Sequence, residues 1–228
     1  MRVRDWADLP LEPEFQGKDL AIVGNAGYLA ELEQGPRIDQ HDLVLRMNNF
    51  RTAGYERHVG TKLDIFMTTF YHDVDLARPE LRSARFVVSA MPNNFSRGRN
   101  PRLNDRHAEL IAGGMARLRR REVFVPSRER FNSLYQKIGR YPTTGALAIA
   151  LSLDHLLRAT QRIYLTGFSF FEGRSHYFSD QRVCASNHDL TGEARLLAEY
   201  LAPALAAKRI SMDPVMNECL QRAQRKCA

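Results

Sequence analysis

The amino-acid sequence predicts a single α/β domain with a mainly parallel sheet flanked by helices. Three observations carry the expectation. Short, continuous apolar runs recur along the chain, as strands buried on both faces require. Helical patterns separate several of these runs, and parallel neighbours need such crossovers. Two glycine turns, "VGNAG" at 23–27 and "YPTTG" at 141–145, stand where a helix pattern begins.

Taken in order, residues 1–17 read as a polar N-terminal arm and residues 18–228 as the domain. "DLAIV" (19–23) is the first strand run, and the pattern over 27–34 is helical. "LVLRM" (43–47), "DIFMT" (64–68) and "RFVVSA" (85–90) continue the sheet. "MPNNFSRGRNP" (91–101) is a loop, followed by a helix over 102–120 and the strand "EVFVP" (122–126). A helix over 129–138 precedes the richest helical segment, 144–158, whose alanines and leucines follow a threonine cap. "RIYLTGF" (162–168) is the last strand run. A long loop at 171–187 suits binding more than simple connection. The final helix starts near Thr191 and is expected to bend or break at Pro203.

Composition sets limits on function. With 44% hydrophobic and 26% charged residues the chain is globular in character, and no run reaches the roughly 18 apolar residues of a membrane span. The opening "MRVRDWADLPLEPEF" lacks the apolar region of a signal peptide, so a soluble, cytoplasmic protein is expected. Cys184, Cys219 and Cys227 form no metal-ligand or redox spacing. Cys184 as a nucleophile is weaker than its reading as a passive small side chain. The net charge of +7 favours anionic partners in general. Its densest run, "RLRRRE" (117–122), reads first as the solvated end of a helix. No zinc-finger or RNP-like pattern accompanies it, so nucleic acid is not an expected partner.

The first glycine turn lacks the spacing of a dinucleotide fingerprint. Gly24 and Gly27 stand in G-x-x-G, and about 20 residues on the chain offers Arg46, Asn48 and Asn49 rather than an acid. A P-loop is equally excluded. What remains is a turn that offers backbone N–H groups and Asn25 to an anion. At the second turn Thr143 and Thr144 offer hydroxyls, and Gly145 permits close approach at a helix N-terminus.

Four stretches taken together resemble the sialylmotifs of the animal-type sialyltransferases, glycosyltransferase family 29. The first, "LAIVGNAGYLAELEQGPRIDQHDLVLRMNNFRTAGYERHVGTKLDIFMTT", is similar to the large motif. The second, "YPTTGALAIALSLDHLLRATQRIYLTGF", is similar to the small motif. "HYF" at 176–178 resembles motif III, and "HDLTGE", from His188 to Glu193, resembles the very small motif. Order and spacing also correspond, over roughly residues 18–200. The departures are informative. Leu20 and Thr160 stand where the family carries a disulfide-forming cysteine pair, which suits a reducing cytosol and a bacterial-type soluble member. Ala26 replaces the serine of G-N-S-G.

The resemblance implies a Rossmann-like domain of variant GT-A type. It further implies inverting transfer of a 2-keto acid sugar, sialic acid first and Kdo as the alternative, from a CMP donor to a glycan or glycolipid hydroxyl. Gly24, Asn25, Ala26, Gly27 and Asn48 would hold the nucleotide, with Thr143, Thr144 and Gly145 on the phosphate or sugar carboxylate. His188 would be the general base, a task that suits histidine because the reference pKa of an imidazole, about 6.5, is close to working pH. His176 would donate to the phosphate, with Tyr177 helping to position it. Glu193 either orients His188 or caps its helix. His155, His41, Asp39 and Asp42 read as structural. The D-x-D in "HDVD" (72–75) is read as chance. No cofactor and no metal is expected, while peripheral contact with an anionic membrane surface stays open. A non-catalytic nucleotide- or nucleic-acid-binding domain is the reading from a different class.

Overall fold

The computed structural model describes residues 1–92, 102–170, 176–179 and 188–225. In chain order its regular elements are β1 (Arg2–Asp5), β2 (Asp19–Val23), α1 (Gly35–Asp39), β3 (Leu43–Met47), α2 (Glu56–Val59), β4 (Ile65–Thr68), β5 (Phe86–Ser89), α3 (Arg102–Arg117), β6 (Glu122–Val125), α4 (Arg128–Ile138), α5 (Thr144–Asp154), β7 (Arg162–Thr166), α6 (Leu190–Ala206), β8 (Ile210–Met212) and α7 (Pro214–Arg225). The strands form one sheet of order β1-β6-β5-β4-β3-β2-β7-β8, with every pairing parallel. The α/β fold with a parallel sheet is as the sequence predicts.

Side-chain alternation divides the core between two faces. Leu20 and Ile22 of β2, with Leu43 and Leu45 of β3, join α4, α5, α6 and α7 in the largest apolar cluster. Ala21, Val23 and Val44 point the other way, toward Leu29, Ile38 and Val59. Farther along that sheet, Phe66, Val87 and Val123 pack on Ile111 and Met115 of α3. Residues buried on both faces explain why the runs read as continuous rather than alternating.

The sequence-based boundaries need several corrections. The segment 1–17 is not an arm beside the domain: β1 pairs with β6, and Trp6, Leu9 and Phe15 are buried. Trp6 Nε1 donates to the Leu151 carbonyl at 3.0 Å, which ties this segment to α5. The pattern over 27–34 is a 3-10 turn, Gly27–Glu31, rather than an α-helix. The 144–158 helix stops at Asp154, where His155 is the C-cap and a 3-10 turn, Leu156–Arg158, follows. α6 runs through Pro203 to Ala206. β8 and α7 lie beyond what the sequence predicts. The β8 strand spans only Ile210–Met212, too short to show a period.

Leu20 and Thr160 are both buried, and Thr160 donates its hydroxyl to the Leu156 carbonyl at 3.0 Å. Cys219 is buried in α7, while Cys184 and Cys227 lie outside the described residues. Within the "RLRRRE" stretch α3 ends at Arg117, and Arg120 donates to the carbonyls of Arg82 and Ala84. Among the described residues no helix is long and apolar enough to cross a membrane.

Candidate active site

A cavity of about 620 Å³ opens at the carboxyl ends of the strands, where open α/β sheets take ligands. Its wall includes Gly24, Asn25 and Ala26 after β2 and Asn48 and Asn49 after β3. Thr69, Tyr71 and Asp73 follow β4. Thr143, Thr144 and Gly145 open α5, and Phe168 follows β7. His176, His188 and Glu193 complete the constellation. Residues far apart in the sequence thus converge on one space. Gly27 and Tyr177 do not line it. Gly27 is buried at the start of its 3-10 turn. Tyr177 is buried behind the wall; its hydroxyl accepts from Arg51 N at 2.8 Å and donates to the Arg51 carbonyl. Burial pushes that phenol up to about 12.

The first glycine turn is not the open anion cradle that its sequence suggests. The N–H groups of Gly24 and Ala26 donate to the carbonyls of Thr166 (2.8 Å) and Gly167 (3.0 Å), so the turn extends the β2–β7 contact. Gly24 is required by packing: a Cβ there would lie 2.1 Å from the Gly167 carbonyl oxygen. A Cβ on Gly145 would meet the Phe168 ring at 3.0 Å, and one on Gly24 would meet the same ring at 3.0 Å. Phe168 therefore sits between the two glycine turns and sets their spacing. Tyr28 and Asp213 brace it from behind. Tyr28 donates to Asp213 at 2.6 Å and accepts from Gly167 N and Phe168 N.

Asn25 Nδ2 donates to the Met47 carbonyl at 3.1 Å, which fixes the amide orientation, since a carbonyl can only accept. Its Oδ1 is buried and has no hydrogen-bond donor among the described residues. The unused valence of Asn25 is that of an acceptor, suited to an O–H or N–H and not to a phosphate oxygen. Asn48 holds a left-handed backbone (φ 48°), which asparagine tolerates. Its Nδ2 donates to Thr144 Oγ1 at 3.2 Å, and its Oδ1 accepts from Thr69 N at 3.3 Å.

The second turn is the open one. Thr143 caps α5 by accepting from Ala146 N at 3.1 Å. Thr144 and Gly145 are the first-turn donors that the helix itself cannot satisfy, and both line the cavity. Glu193, buried on α6, accepts from both Thr143 N (2.6 Å) and Thr143 Oγ1 (2.8 Å). Desolvation pushes its carboxyl up to about 7. Its side-chain hydrogen bonds run to Thr143 while that of His188 runs to Tyr141, and it does not cap its own helix; Asp189 caps α6 by accepting from Gly192 N at 2.9 Å. The sequence held the signal, an acid five residues after His188, but not its partner 50 residues earlier.

His188 Nδ1 lies 2.7 Å from the Tyr141 carbonyl oxygen. The carbonyl accepts, so Nδ1 carries the proton and Nε2 the lone pair. His176 stacks on Phe178 with ring centroids 5.1 Å apart and planes at 13°. Burial lowers its pKa and favours the neutral ring. Tyr177 N donates to the Asn25 carbonyl at 3.2 Å, tying the His176 segment to the first turn.

These features can be set beside known proteins. Residues 11–80 match Glycosyltransferase family 29 (sialyltransferase). The match supports the family that the motifs resemble. Human CMP-N-acetylneuraminate-beta-galactosamide-alpha-2,3-sialyltransferase 1 is 29% identical over 185 residues, covering 75% of this chain and 51% of the relative. The chain spans about half the length of the curated relatives it matches. The fold is similar to the crystal structure of a mammalian sialyltransferase (TM-score 0.59, 22% identity, 86% of this chain and 69% of the other). It is also similar to one in complex with Gal-beta-1-3GalNAc-ortho-nitrophenol (TM-score 0.55, 21% identity, 86% and 69%). Both likenesses are of fold.

His41, Asp39, Asp42 and His155 all have places in the framework. His41 stacks on Tyr164, Asp39 accepts from Thr61 and Lys62, Asp42 accepts from Asp19 N, and His155 Nε2 lies 3.0 Å from the Leu9 carbonyl.

Proposed function

We propose that this protein is an inverting glycosyltransferase that moves sialic acid from CMP-sialic acid to a glycan hydroxyl. The observation that carries the reading is His188. Its Nδ1 is committed to the Tyr141 carbonyl, and it lines the same cavity as the open N-terminus of α5. An acceptor O–H gives its proton to Nε2 as its oxygen attacks the anomeric carbon from the face opposite CMP. The bond from that carbon to the phosphate oxygen breaks, and CMP departs with the electron pair. The first-turn donors at Thr144 and Gly145 and the N–H of a neutral His176 face the phosphate as its charge grows. Asn25 Oδ1 takes a hydroxyl or amine of the nucleotide. The relatives' names specify N-acetylneuraminate, which favours sialic acid over Kdo.

The reading needs no metal: Asp75 of the D-x-D is not among the described residues that line the cavity, and a monophosphate offers no pyrophosphate to chelate. Full turnover in EDTA is the expected result, and loss restored by manganese would overturn that part. The decisive experiment offers CMP-sialic acid and CMP-Kdo with a panel of glycan acceptors, and follows CMP release and the anomeric configuration of the product. Turnover of CMP-sialic acid with inversion, lost in His188→Ala, supports the proposal. Failure of the wild type to bind CMP in calorimetry would refute it.

A further inference from the structure

We infer that the wall built by Asn49, Tyr71 and Asp73 is the acceptor half of the cavity, and that Asp73 selects a neutral sugar by accepting from its hydroxyls. The inference rests on the reading just given. Its starting point is a difference between two adjacent asparagines. Asn48 bridges the cavity floor, donating to Thr144 at the open helix terminus and accepting from Thr69 N after β4. Asn49 is committed to the segment after β4: its Nδ2 donates to the Asp73 carbonyl at 2.6 Å, and its Oδ1 accepts from Asp75 N at 2.9 Å. In the sheet order β3 is the divide. The β2, β7 and α5 termini lie on one side, and the segment after β4 lies on the other.

Charge then assigns the two halves. The donor carries a phosphate and a carboxylate, and like charges at close range cost several times the thermal energy. Among the described residues only two that carry a carboxyl group line the cavity, Glu193 and Asp73. Glu193 is buried and held by Thr143 through both oxygens, so it presents no free acceptor on its own side. Asp73 is exposed at the rim, on a segment that Asn49 holds in place. A dianionic donor is repelled from that rim, whereas the hydroxyls of an uncharged sugar are matched by it. Tyr71, half-buried beside it, adds an aromatic surface for the sugar's C–H face. Its hydroxyl lies 3.4 Å from His107 Nε2, which anchors the ring to α3.

The test is steady-state kinetics of Asp73→Asn and Asp73→Ala with Gal-beta-1-3GalNAc-ortho-nitrophenol as acceptor probe, varying each substrate at saturation of the other, with calorimetric CMP titration alongside. The expected result is an acceptor KM raised about tenfold, as for loss of a hydrogen bond to a charged group, with donor KM and CMP affinity within about twofold of wild type. A raised donor KM with an unchanged acceptor KM would overturn the inference and place Asp73 against the donor sugar's hydroxyl tail. Unchanged values for both would overturn it as well. Failure of the underlying reading looks different: the wild type then binds no CMP.

Discussion

Glu193 of α6 grips Thr143 of the α5 cap at two points, the backbone N–H at 2.6 Å and the hydroxyl at 2.8 Å. The carboxyl is almost fully buried with no cation among these contacts, so desolvation raises its pKa from 4.5 to about 7. The folded state therefore binds a proton that the unfolded state has released between these values. Stability contributed by this group is full below about pH 4.5 and is lost as pH rises through about 7, at no more than about 1.4 kcal/mol per pH unit. Glu193→Gln keeps an acceptor for Thr143 N but cannot titrate. Denaturant unfolding from pH 4.5 to about 8 is expected to show this downward trend in the wild type relative to the variant. Parallel profiles would contradict the burial argument.

His188→Ala is expected to lower turnover by about 10²–10⁴-fold, the usual contribution of a positioned general base. CMP affinity should stay near wild type, because the role proposed for the ring is toward the acceptor hydroxyl. Stopped assays for turnover and calorimetry for CMP separate the two effects. Equal losses in both would reassign His188 to nucleotide binding.

Asn25→Ala removes a buried acceptor that has no hydrogen-bond donor among the described residues. CMP affinity should fall about tenfold, the cost of one well-placed hydrogen bond. Deoxy-CMP locates the donor group on the ligand. If Asn25 Oδ1 meets a ribose hydroxyl, wild type loses affinity for the deoxy ligand while the variant treats both ligands alike. Phosphate recognition by Asn25 would leave no such difference.

Gly24→Ala would force its methyl against the Gly167 carbonyl oxygen, which is backbone and cannot swing away. A loss of about 3 kcal/mol is expected, a fall in Tm of roughly 6–12 °C for a chain of this size. Gly113, on the exposed side of α3 with nothing within 4 Å of an added methyl, supplies the opposite control. Gly113→Ala should gain about 0.5–1 kcal/mol from helix propensity alone. Calorimetric melting checks both.

The central sheet was legible because its strands are buried on both faces, so their apolar runs stand out without any alternation to decode. The 1–17 segment was not, since "RVRD" at an edge keeps polar side chains and its pairing strand, Glu122–Val125, lies far along the chain. The α5 terminus was readable through proline, threonine and glycine in their expected places. The first glycine turn misled: G-x-x-G reads as room for a ligand, while the structure fills that room with Gly167 and Phe168. Nothing local in sequence marks a carbonyl arriving from another strand. The roles proposed for Asp73 and Asn49 are hidden for a related reason, because they depend on the place of each residue relative to β3, which no local stretch of sequence states.

No lysine or arginine is among the described residues that line the cavity, although the chain carries a net charge of +7. Ionic strength should therefore act unevenly on an anionic donor. The described lysines and arginines stand outside this lining, draw an anionic ligand in over distances near the Debye length, and so make arrival sensitive to salt. On the proposed function a seated donor meets peptide N–H groups and a neutral imidazole at contact range, which dissolved ions screen poorly. Added salt will slow how often the donor arrives far more than it shortens how long the donor stays.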